Sequence, residues 1–172
     1  FILTPGGIYQ VVEYNNSLYV SIVSGTYDTM NEKTRQFRPF AVVRGDYDET
    51  KGTIDDANAW TWTPIIGDKE NDNAKYTFGI DPERTSSGAC TLQVYNDHLY
   101  IGEYNDVNGG LRGILQYKEF ATLANNLTQS INLYRLDKDE NVELIVGDPT
   151  EMFPEGGISG WGSGYETHMT QY

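Results

Sequence analysis

The sequence predicts an all-β chain built from two four-stranded antiparallel sheets. Three observations carry this: a Tyr- and Gly-rich composition, an internal repeat of about 80 residues, and Asn-rich hairpin dipeptides at matching places in both copies. Among 172 residues, the 13 tyrosines suit half-buried strands and the 18 glycines supply turns. One domain of this length buries a sizeable core.

The repeat is read from two anchors. Tyr14-Asn15-Asn16-Ser17-Leu18-Tyr19-Val20 recurs 81 residues on as Tyr95-Asn96-Asp97-His98-Leu99-Tyr100-Ile101, and Ile65-Ile66-Gly67-Asp68 recurs 80 residues on as Ile145-Val146-Gly147-Asp148. Between them, Val42-Val43-Arg44 matches Leu133-Tyr134-Arg135 at an offset of 91, so one loop lengthened while another shortened. Each Asn-rich pair follows an apolar-rich strand pattern and tolerates positive φ, which reads as strand, tight turn, strand.

The elements follow in order. The first copy, about 8–67, places strands at 8–14, 17–23, 39–44 and 60–66, with an acidic loop near 45–59. The second, about 90–148, places them at 90–95, 98–104, 130–136 and 141–147. Leu115, Phe120, Leu123 and Leu127 recur at helical spacing and predict a short helical insertion. Four strands repeating at this length describe blades of a β-propeller, here an incomplete ring; an eight-stranded sandwich is the rival. Residues 1–4 and 169–172 then read as edge strands of neighbouring blades within one segment, 1–172. Propellers close with about four to eight blades, so the expected partners are remaining blades of the same propeller or identical chains completing the ring.

The stretches Ala74 to Thr85, Tyr95 to Asp106 and Asn132 to Gly164 resemble large, uncharacterised secreted or surface β-propeller proteins of anaerobic bacteria. The likeness covers most of the chain after residue 60, and the first copy departs from it with Ser21 where the second has Gly102. The resemblance implies a propeller fold and an extracellular or cell-surface location. It transfers no catalytic residue.

With 25 acids against 12 bases, the net charge of −13 disfavours nucleic acid. No apolar run approaches the roughly 20 residues of a membrane span. The lone Cys90 excludes an intramolecular disulfide and sits among Ala89, Thr91 and Leu92 as a core thiol.

Candidate sites lie in the loops. Asp46, Asp48, Asp55 and Asp56 could supply oxygens to Ca²⁺, although their spacing is not that of an EF-hand and a solvated loop also explains them. Glu103, Asn105 and Asp106, with Asn108, could bind a cation or sugar hydroxyls at a blade end. Trp161, flanked by glycines, is an accessible ring for sugar stacking, whereas Trp60 and Trp62 share one strand face expected in the core. Asp137 to Asn141 reads as a polar hairpin. His98 and His168 stand without a serine or cysteine motif, and the glycines of 156–164 lack the Lys-Ser or Lys-Thr of a phosphate loop.

The expected function is a non-catalytic extracellular binding module for a glycan or surface protein. The alternatives are a carbohydrate-active hydrolase or lyase with part of its site on missing blades, and a structural module of a surface assembly.

Overall fold

The computed structural model describes residues 7–23, 39–83, 87–105 and 129–158. These form two sheets. The first contains β1 (Ile8–Tyr14), β2 (Ser17–Ile22), β3 (Ala41–Tyr47), β4 (Trp60–Gly67) and the short β5 (Tyr76–Thr77), side by side in that order. The second contains β6 (Ser87–Tyr95), β7 (His98–Asn105), β8 (Leu133–Leu136) and β9 (Val142–Val146), likewise in order. All neighbouring pairs are antiparallel except β4 with β5. The all-β expectation holds, and all eight strands placed from the sequence are present. The two-residue β5 is an addition to them, with no counterpart in the repeat pattern. The helical insertion at Leu115–Leu127 and the edge strands at 1–4 and 169–172 lie outside the described residues.

The two sheets match rung for rung. Val20 pairs with Val43 as Ile101 pairs with Tyr134, and Leu18 with Gly45 as Leu99 with Leu136. A β-bulge falls between Val42 and Val43 opposite β4, and another falls at the corresponding place between Leu133 and Tyr134 opposite β9. Bulges bend and twist a strand locally, so both sheets receive the same bend. Both first hairpins turn on two residues of positive φ: Asn15 and Asn16 at 51° and 61°, Asn96 and Asp97 at 48° and 60°. This is the left-handed pair that a two-residue hairpin requires, and Asn and Asp adopt it at low cost.

The core lies between the sheets. Val12, Tyr14, Tyr19 and Val42 from the first meet Cys90, Leu92, Leu99, Ile101, Tyr134, Leu136 and Leu144 from the second. Full burial of each such aliphatic side chain contributes about 1.5–3 kcal/mol. Backbones of the two sheets come closest where β1, and after it β2, meets β6. There Gln10 acts as a clamp. Its amide nitrogen donates to the carbonyl of Leu92 at 2.7 Å, and the Leu92 N–H donates to its amide oxygen at 2.8 Å.

The packing is head to tail. Tyr14 and Tyr19 face the second sheet, yet their counterparts in the repeat, Tyr95 and Tyr100, lie on the opposite side of that sheet from Leu92, Leu99 and Ile101. Alternation along a strand enforces this, since Leu92 and Tyr95 differ by an odd number of positions. One face of the repeat therefore grips, and the other is gripped.

Candidate functional site

Two surfaces carry chemistry: a polar clamp inside the sheet interface and an aromatic face on the outside of the first sheet. In the clamp, Tyr14 donates its hydroxyl to the carbonyl of Asp97 at 2.9 Å. Tyr19 donates to Glu140 at 2.8 Å, and Arg44 reaches the same carboxylate at 2.6 Å. Arg44 also holds Asp46 at 3.0 Å, which accepts from Ser17 at 2.6 Å. Tyr76 donates to the Glu140 carbonyl at 2.8 Å. Burial raises the pKa of Tyr19, and its bond to Glu140 raises it further. Burial alone would lower the Arg44 guanidinium, but the Glu140 charge and the Asp46 bond outweigh it and raise the pKa.

Asp137 to Asn141 does form the expected hairpin, with Asp137 accepting from the N–H groups of Asp139 and Asn141. Its Glu140 has the further role of joining the sheets. No local pattern marks that role, because Tyr19 and Arg44 lie 121 and 96 residues away.

The aromatic face corrects one expectation. Trp60 and Trp62 do share a strand face, but it points away from the second sheet, and Trp62 is 52% exposed. Their rings lie nearly parallel, with centroids 5.6 Å apart and planes at 17°. Tyr47, the cross-strand neighbour of Trp60, adds a third ring at 5.3 Å. A side chain at Gly45 would strike the Trp62 indole at 2.5 Å, so the ring lies over bare backbone that only glycine leaves open. Loop 48–59 holds the other rings: the Trp60 indole donates to the Ile54 carbonyl at 2.9 Å, and Tyr47 donates to the Gly52 carbonyl at 3.0 Å. Tyr9 and Val11 extend the exposed apolar surface on β1. Such preset rings can pack on apolar protein surface, stack on a sugar, or accept a guanidinium.

The acidic loop is organised by its own turns. Asp48 accepts from Thr50 and pairs with Lys51, which holds its carboxyl below the ordinary range, the Thr50 bond contributing most. Asp56 caps the short 3₁₀ turn Ala57–Ala59 by accepting from Asn58, Asp55 is exposed, and Asp46 faces Arg44. Among the described residues, no three acidic, His or Cys side chains are grouped to hold a metal ion.

Glu103 is buried, on the side of β7 that faces the first sheet. Burial pushes the adjacent Cys90 thiol up, and the Glu103 charge raises it further, as suits a core thiol. Asn105 ends β7, and His98 opens it beside the turn, its ring against the Asn96 carbonyl at 2.7 Å. Asp106, Asn108, Trp161 and His168 lie outside the described residues. No described helix is long and apolar enough to cross a membrane.

No protein-family model, curated protein or solved structure matches the chain.

Proposed function

We propose that the chain is a non-catalytic β-propeller module of the cell exterior that works by binding, through the aromatic face of its first sheet. The propeller reading draws support from the head-to-tail packing. Blades around an axis present the same face in the same rotational sense and approach most closely at their inner strands. Two sheets related by a two-fold axis would instead meet through the same face. The binding role rests on the stack of Tyr47, Trp60 and Trp62, of which Tyr47 and Trp62 are exposed, held in place by the loop beside it. Exposed aromatic surface of this kind marks an interaction site.

The favoured ligand is a protein surface, because the same face also exposes Tyr9 and Val11 on β1. A glycan is the second reading, favoured by the nearly parallel indoles, which match the flat apolar side of a pyranose. Indole fluorescence tests the glycan reading against a panel of soluble polysaccharides, with Trp62→Ala as the control. Saturable quenching lost in the variant supports it. Release of reducing ends by the chain, abolished by replacing a carboxylate, would overturn the non-catalytic role.

A further inference from the structure

We propose that the partner of the aromatic face is a second copy of this chain, docked head to tail by the Tyr95–Tyr100–Arg135 face of its second sheet. This rests on the binding role given above and names its partner.

The docking face is already assembled. Tyr14, Tyr19 and Arg44, the residues with which the first sheet grips the second, recur as Tyr95, Tyr100 and Arg135. The identity extends to geometry. The Tyr14 and Tyr19 rings stand 5.6 Å apart at 58°, and the Tyr95 and Tyr100 rings 6.4 Å apart at 56°. Tyr19 stands directly across from Arg44 on the next strand, and Tyr100 directly across from Arg135. The tyrosines differ in occupancy, Tyr14 being 5% exposed and Tyr95 69% exposed, while the Arg44 and Arg135 side chains are alike at 28% and 26%. Among the described residues no sheet packs on this face, and Arg135 pairs with Glu143 on its own sheet at 2.9 Å.

The outer face of the first sheet offers what this trio needs. By the repeat it corresponds to the face of the second sheet that is already gripped. Leu18 stands where Leu99 does, Val11 where Leu92 does and Trp62 where Val142 does, with Val11 and Trp62 exposed, while Val20 and Val43, at the places of Ile101 and Tyr134, are already buried. The turn at Asn15 and Asn16 corresponds to the turn whose Asp97 carbonyl receives Tyr14, so it would receive Tyr95. In place of Glu140 stands Trp60, and the loop that holds it carries the exposed acids Glu49 and Asp55, which suit a guanidinium. Arg135 therefore finds a complementary surface. One element of the clamp is missing: Thr91 occupies the place of Gln10, so the contact between copies lacks the amide clamp and is weaker than the contact within the chain.

A head-to-tail contact repeats until it closes. With about four to eight blades to a ring, closure takes roughly two to four chains.

Sedimentation velocity on the whole chain tests this with two variants, Arg135→Glu on the gripping face and Val11→Asp on the gripped face. Unchanged circular dichroism and thermal midpoints would confirm folding. The expected result is a discrete oligomer for the parent and monomers for each variant. An equimolar mixture of the two variants should form a one-to-one pair and stop there, because each supplies the face that the other lacks. A parent that stays monomeric across the concentration range overturns the proposal, as does an oligomer that neither variant disturbs. A monomer whose indoles are nonetheless quenched by a polysaccharide overturns the second-copy partner and leaves the binding role standing. A monomer without quenching by any polysaccharide removes the second-copy partner and the glycan reading together.

Discussion

The same three residues occupy two settings in this molecule. Tyr14 and Tyr19 are closed beneath a neighbouring sheet with Arg44 beside them, while Tyr95, Tyr100 and Arg135 hold a similar ring geometry with no other described sheet over them. The arrangement therefore belongs to the repeat unit itself, and contact with a neighbour is not needed to create it. Contact should determine its contribution to stability, because a hydrogen bond or ion pair matters most when water cannot replace it.

The comparison breaks most severely at the apolar positions. Leu99→Ala empties a fully buried site and should destabilise by about 2–5 kcal/mol, whereas Leu18→Ala, its half-buried counterpart on the outer face, should cost less, both read by urea denaturation.

Glu140→Ala comes next. It removes the acceptor of Tyr19 and Arg44 together, and because Arg44 is partly exposed the expected loss is about 2–3 kcal/mol, below the full cost of breaking a buried pair. Removing the acceptor of Arg135 by Glu143→Ala should change stability by no more than about 0.5 kcal/mol. Equal losses in the two variants would show that the two trios are not distinguished by burial.

Tyr19→Phe should cost about 1 kcal/mol and Tyr100→Phe close to nothing. Tyr19 also predicts a response to alkali. Burial is the leading cause that raises Tyr14, Tyr19 and Tyr76 above the ordinary 10.0, so the neutral phenol is the form the fold favours. The stability these groups contribute is thus complete below pH about 10 and is lost as pH rises through their folded values. Tyr19→Phe should flatten the fall in thermal midpoint above pH about 10.

The smallest expected effect is at Gly45. Gly45→Ala should push the Trp62 indole off the backbone, changing the near-ultraviolet circular dichroism of the aromatic stack while leaving the sheet interface intact.

Much of this fold is legible in the sequence because its signals are local. Alternation places the strands, and Asn15-Asn16 and Asn96-Asp97 fix the hairpins and with them the register. The side of the sheet on which a residue falls is harder to read. Trp60 and Trp62 have to share a face, but whether that face meets the second sheet depends on head-to-tail packing, which composition does not encode. Glu140 is hidden for a related reason, since its partners are distant in sequence and a hairpin suffices to explain its neighbours. Among the expected ligand residues, Glu103 looks exposed from its place near the end of β7, whereas alternation turns it inward.

The amide of Gln10 has one more consequence. β6 is the border of its sheet, and an unpaired border is a template on which a stray extended segment can grow. By occupying both backbone groups of Leu92, a single side chain seals the middle of that border against unwanted strand addition.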